Sequence, residues 1–87
     1  MTLLDLKFVE TGWDDYLHWQ LVDKKMVKKV NELIKSARRD PFEGIGKPEP
    51  LKFQLEGVWS RRITGEHRFV YLPEDGCITV IACRHHY

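Results

Sequence analysis

An α+β domain follows from a change of period partway along this chain. Up to residue 40 the apolar residues after the first few recur at spacings of three and four, the signature of helices. After residue 57 they alternate at spacing two, broken by turn residues, as strands do. Between the two regimes lies a loop rich in Gly and Pro, and a short apolar stretch precedes them both. The predicted order is β-α-α-β-β-β. Two N-terminal helices would pack on one face of a small, twisted, mostly antiparallel sheet.

Leu3 to Val9 is short, apolar and rich in β-type residues, and is predicted as a strand. Thr11-Gly12-Trp13-Asp14 has the form of a capping box, so a helix should start there. Trp13, Tyr16, Leu17, Gln20 and Leu21 then supply its stripe, with Trp19 flanking it. Asp23 is a good N-cap for a second helix, whose apolar stripe is Met26, Val27, Val30, Leu33, Ile34 and Ala37. Asp40-Pro41 ends that helix, because the residue before proline is pushed out of the αR region. Phe42 to Pro50 is the loop. Val58 to Thr64 is predicted as a strand, Gly65-Glu66 as a turn and His67 to Leu72 as a second strand. Pro73-Glu74-Asp75-Gly76 is a hairpin turn and Cys77 to Arg84 a third strand.

With 87 residues, 43% hydrophobic and 31% charged, residues 1–87 make one small globular domain. Such a chain buries about 60–65% of its unfolded surface, so single changes should be felt. No internal repeat or low-complexity run is present. No stretch has the length of a membrane span, and Met1-Thr2-Leu3-Leu4-Asp5 is not a signal peptide, so a cytoplasmic protein without membrane association is expected. Cys77 and Cys83 share one apolar segment and suit buried thiols in a reducing compartment. They offer neither the number nor the spacing of a metal site, and no cofactor is expected.

The formal charge of +1 is unevenly spread: Lys24 to Arg39 contains seven basic residues against a single acid, Glu32. Lys24, Lys28 and Lys35 lie off the apolar stripe and make a local basic surface of the kind that attracts phosphate. The bland alternative is a solvated helix face.

Several residues have the chemistry of a metal-free ribonuclease. Glu49 is held between Pro48 and Pro50, one fixing a φ angle and the other pushing Glu49 itself toward extended geometry. On the strands, alternation puts Ser60 and Arg62 on one face and Arg61 on the other, then Arg68, Val70 and Leu72 opposite His67, Phe69 and Tyr71. Two arginines on one face can clamp a phosphate; alternatively they are solvated cross-strand charge. His86 and Tyr87 close the chain, a group that titrates near neutrality and a ring that can stack on a base.

Trp13-Asp14-Asp15-Tyr16, Lys28 to Lys35 (Lys-Lys-Val-Asn-Glu-Leu-Ile-Lys), Pro41-Phe42-Glu43-Gly44, Gly46-Lys47-Pro48-Glu49-Pro50-Leu51-Lys52, Trp59-Ser60-Arg61-Arg62-Ile63 and the closing His86-Tyr87 closely resemble the YoeB toxins, the Txe/YoeB branch of the RelE toxin superfamily. The resemblance spans nearly the whole chain. It implies a ribosome-dependent endoribonuclease that cuts mRNA in the A site and arrests translation. It also implies a YefM-type antitoxin as partner, with the complex binding operator DNA through the antitoxin; a homodimer is left open. The family's catalytic glutamate falls on Glu49, its phosphate-binding arginine on Arg68, its catalytic histidine on His86 and its terminal tyrosine on Tyr87. Lys52 and Arg62 match supports of the scissile phosphate. Some members carry histidine where this chain has Phe53, so no proton-transfer role falls there. Two rivals remain: a gyrase-poisoning toxin of ParE type, which shares the general fold without this acid–base set, and an RNA-binding domain that cuts nothing.

Overall fold

The computed structural model describes residues 2–51 and 56–85. Its elements are β1 (Asp5–Phe8), α1 (Glu10–Val22), α2 (Lys24–Arg39), β2 (Glu49–Pro50), β3 (Trp59–Arg62), β4 (Arg68–Glu74) and β5 (Cys77–Ala82). One five-stranded sheet runs in the order β1-β5-β4-β3-β2. β1 lies parallel to β5, and every other neighbouring pair is antiparallel. Both helices pack on one face, over a core that includes Trp19, Val30, Leu33, Ala37, Phe69, Tyr71, Ile78 and Val80. The predicted α+β architecture is therefore present.

α2 behaves as its sequence dictates. The Asp23 carboxylate accepts the N–H groups of Lys25 and Met26 at 3.0 and 3.3 Å, satisfying two of the helix's unpaired donors. Met26, Val30, Leu33, Ile34 and Ala37 are buried, and Lys24, Lys28 and Lys35 are exposed. Arg38 turns back instead, its Nε donating to the Leu4 carbonyl at 2.6 Å, while the Leu4 N–H donates to the Arg38 carbonyl at 2.9 Å.

α1 departs from expectation twice. It begins at Glu10 with Val9 as N-cap and no side-chain cap. Thr11, expected to cap it, donates its hydroxyl to the Ile81 carbonyl at 2.8 Å, so a contact with β5 outcompetes the local motif. The expected apolar stripe also points partly outward: Trp13, Leu17 and Leu21 are exposed, while Gly12 and Trp19 face the sheet. α1 is apolar on both sides, so periodicity alone could not choose its inner face.

Gly12 is where α1 touches β5. A Cβ there would run into the backbone carbonyl of Val80, which cannot swing away as a side chain could. Gly12→Ala is expected to cost about 1–3 kcal/mol by overpacking. A melting curve would check this, each kcal/mol lowering Tm by roughly 4–8 °C in a domain of this size.

The sheet differs from the sequence reading at its edges. Pro50 and Glu49 form a short strand on β3 where a loop was expected; Pro50 is tolerated because β2 is an edge strand. β4 runs on through Pro73 and Glu74, leaving Asp75 and Gly76 as a two-residue turn with Gly76 at φ 77°. Cys83 is fully buried, and burial, with a smaller contribution from the Asp15 carboxylate, pushes its thiol up to about 12. In native protein Cys83 should resist iodoacetamide at pH 8 and react only after unfolding; equal labelling of native and unfolded protein would contradict this. Among the described residues no helix is long and apolar enough to cross a membrane.

Candidate active site

The strand register assembles one row of side chains. Glu49 lies opposite Ser60, Arg62 opposite Arg68 and Ser60 opposite Val70. Residues directly opposite share a face. Glu49, Ser60, Arg62 and Arg68 therefore stand together on the face away from the helices, as alternation predicted for the last three. Arg68 brings its Nη1 to 3.4 Å from Glu49 Oε1. Its side chain is 19% exposed and that of Glu49 57%, so the carboxylate reaches solvent while the guanidinium is largely enclosed. A pair open to solvent through its carboxylate contributes little to stability. Arg62 is exposed beside it. Two guanidiniums against one carboxylate leave a surplus positive charge on this face, suited to a phosphodiester.

The loop that delivers Glu49 is tightly specified. Gly44 at φ 123° and Gly46 at φ 81° take conformations that side chains rarely adopt. Lys47, not a glycine, has φ 52°, a left-handed conformation immediately before Pro48. The Gly46 carbonyl accepts the Arg62 N–H at 2.7 Å, and the Leu51 N–H donates to the Val58 carbonyl at 2.9 Å. Glu49 is thus clamped from both sides.

Beneath that loop lies a residue whose placement sequence reasoning left unexplained. Arg61 is fully buried, on the face toward the helices. Among the described residues it has no carboxylate partner, yet all five of its N–H groups are used. Nε donates to Tyr71 Oη at 2.9 Å. Nη1 donates to Ser36 Oγ at 2.8 Å and the Ile45 carbonyl at 3.1 Å. Nη2 donates to the Asp40 and Glu43 carbonyls at 2.8 and 3.0 Å. The Tyr71 hydroxyl in turn donates to the Pro41 carbonyl at 2.6 Å. Burial raises the Tyr71 phenol above its ordinary value, against the opposing pull of the Arg61 hydrogen bond, so it remains a donor. A signal was present in the sequence: Arg61 alternates onto the side of Phe69 and Tyr71, where an arginine must find acceptors.

The C-terminal segment is also held. Trp19 Nε1 donates to the Cys83 carbonyl at 2.7 Å, and the Cys83 N–H donates to Asp15 Oδ2 at 3.1 Å. The Arg68 N–H donates to the His85 carbonyl at 3.0 Å, and the His85 N–H donates to His67 Nδ1 at 2.7 Å. His67 in turn stands edge-on to Trp19, ring centroids 4.8 Å apart. His85 takes φ 66°, the second left-handed non-glycine residue. Lys52, His86 and Tyr87 fall outside the described residues. Among the described residues no group of three or more His, Cys, Asp or Glu is arranged to hold a metal ion. A depression of about 440 Å³ at the end of α2, among Ser36, Arg39, Asp40, Glu43, Gly44 and Ile45, contains none of the row's side chains.

Comparison with known proteins agrees with this geometry. A family model described as the YoeB-like toxin of bacterial type II toxin–antitoxin systems matches residues 8–87. Toxin YoeB of Escherichia coli K12 is 61% identical over 84 residues, covering 97% of this chain and all of that protein. A solved YoeB/ParE toxin from Agrobacterium tumefaciens superposes with a TM-score of 0.91 at 52% identity, covering 97% of this chain and all of the other. The YoeB of Staphylococcus aureus, solved as a dimer, gives 0.89 at 50% identity over 97% of this chain and 98% of its own. It has also been solved in a heterotetrameric complex with YefM, with a TM-score of 0.87 over the same shares. On sequence and on fold alike, the chain belongs to the YoeB-like toxins of bacterial type II toxin–antitoxin systems.

Proposed function

We propose that this toxin is an endoribonuclease that cleaves mRNA in the ribosomal A site and so arrests translation, without a catalytic metal. The observation that carries the reading is the Glu49 carboxylate 3.4 Å from Arg68 on a sheet face shared with Arg62. RNA supplies its own nucleophile, the 2′-hydroxyl. Glu49 takes that proton as the oxygen attacks the adjacent phosphorus. The 5′-oxygen of the next nucleotide leaves and receives a proton from His86, giving a 2′,3′-cyclic phosphate. Arg68, with Arg62 and Lys52, offsets charge on the non-bridging oxygens, a contribution of roughly 3–4 kcal/mol for one well-placed donor. An incoming phosphate replaces Glu49 as the partner of Arg68 and so frees the carboxylate to act as base. Tyr87 orients the nucleotide.

A programmed ribosome carrying one 2′-deoxy nucleotide at the scissile position tests this. Cleavage should fail there and persist on the all-ribose message, with excess EDTA tolerated beyond the magnesium the ribosome needs. Normal cutting of the deoxy message would remove the proposed nucleophile; gyrase inhibition without RNA cleavage would favour the ParE-type alternative.

The exposed Lys24, Lys28 and Lys35 are assigned to ribosomal RNA, away from the scissile bond. Replacing all three by Gln should weaken ribosome binding and flatten its salt dependence, with little change in stability. Unchanged affinity at moderate salt would reduce the basic run to a solvated face. The neutralising partner we assign is a YefM-type antitoxin, like the one bound to the S. aureus relative, with operator DNA contacted through the antitoxin. The place of action is the cytoplasm, where the ribosomes are. A homodimer like that of the S. aureus relative is checked by sedimentation equilibrium.

A further inference from the structure

We propose that Arg61 is a positioning residue for the reaction: it fixes the segment that aims Glu49, and it acts through Glu49 without meeting substrate. The inference rests on the assignment of Glu49 as the base. Arg61 is fully buried and cannot reach an RNA held on the opposite face. Four of its five donors bind groups spread from Ser36 to Ile45, and the fifth binds Tyr71, which extends the network to Pro41. The last of these, Ile45, is held twice, because Ser36 Oγ, which accepts from Arg61, also accepts the Ile45 N–H at 3.3 Å. Next in the chain, Gly46 sits against Arg61: a Cβ there would lie 3.1 Å from the Arg61 Cβ and 2.6 Å from Leu33 Cδ2.

From that anchor to Glu49 only Lys47 and Pro48 intervene. One is in the left-handed region and the other has its φ locked by its ring. A displacement of the anchor therefore passes to the carboxylate with little slack to absorb it. The guanidinium suits the task through its rigid fork of five donors. A lysine offers three donors on a point charge and cannot span the same acceptors. The neighbouring residues divide the work: Arg62 faces the phosphate site and Arg61 faces the loop.

The test is a double-mutant cycle read in single-turnover cleavage on programmed ribosomes, far below the melting temperature. Arg61→Lys should lower the cleavage rate about 10²-fold, the loss expected of a base misplaced by about 1 Å. Half-saturating ribosome concentration should stay within about twofold, since the basic helix and Arg62 are untouched. In a Glu49→Ala background the same Arg61→Lys change should cost almost nothing more, because there is no longer a carboxylate to aim. Equal rate losses in both backgrounds would overturn the proposal and make Arg61 a general scaffold residue. Should Arg61→Lys fail to fold, Ser36→Ala, which removes one shared acceptor, enters the same cycle with the same expected non-additivity. If Glu49→Ala alone cleaves at the wild-type rate, the base assignment fails, a result distinguishable from additivity in the cycle.

Discussion

Removing His86 and Tyr87 should leave the fold standing and lower mRNA cleavage by at least about 10²–10⁴-fold, the range for loss of one general acid. The fold is secured before those residues begin. Cys83 is buried and bonded through both backbone groups, and His85 is fixed by Arg68 and His67. Truncation after His85 leaves every one of these contacts in place. The melting temperature should therefore move by no more than the roughly 4–8 °C that about 1 kcal/mol represents in a domain this size. His86→Ala alone should reproduce most of the rate loss, and antitoxin binding should survive in both variants. Near wild-type cutting by the truncated toxin would displace His86 and Tyr87 from the chemistry while leaving the fold and the antitoxin partnership untouched.

Arg61→Met is expected to have the largest effect on stability, about 3–5 kcal/mol. Methionine fills most of the volume of the side chain but donates nothing. Three carbonyls, at Asp40, Glu43 and Ile45, and the Ser36 and Tyr71 hydroxyls then lose a partner in a partly or wholly buried setting. Each such loss costs about 1–3 kcal/mol where water cannot enter, and solvent reaching the outer loop carbonyls keeps the total below the simple sum. Against a total stability of about 5–15 kcal/mol this leaves a toxin partly unfolded at 37 °C. Urea denaturation would measure it; a midpoint equal to wild type would show that water replaces the guanidinium without penalty.

Much of this was legible in the sequence because local rules and tertiary packing agree there. α2 has its cap, its stripe and its proline stop, and occupies Lys24–Arg39 as those signals require. Strand alternation put Arg62 and Arg68 on one face, and the register does the same. The failures have physical causes. Thr11 offered a capping box, but the Ile81 carbonyl, seventy residues away, was the better acceptor. α1 carries apolar residues on more than one side, so its stripe was assigned partly to the wrong one. β2 consists of two residues, one a proline, and exists because β3 supplies partners that no local window contains. For Arg61 the face was legible but not its partners, since its acceptors are mostly carbonyls, which have no sequence signature. Alternation placed His67 on the face of Phe69 and Tyr71; its acceptor role toward His85 depends on a backbone turn no spacing reveals.

The parallel pairing of β1 with β5 also bears on how the toxin is made. Among the described residues the first strand takes its strand partner from a segment far along the sequence, Asp5 lying opposite Cys77. β5 is also the strand that joins β1 to β4, and α1 packs on it through Gly12 and Thr11. Domains assemble from the N-terminus as they emerge, and long-range pairings form last. A nascent chain short of Cys77 therefore has two helices and a hairpin fragment with no strand to unite them. A ribosome synthesising the toxin meets no folded toxin in its own incomplete product, and a message broken before the codon for Cys77 yields a chain that cannot complete its sheet.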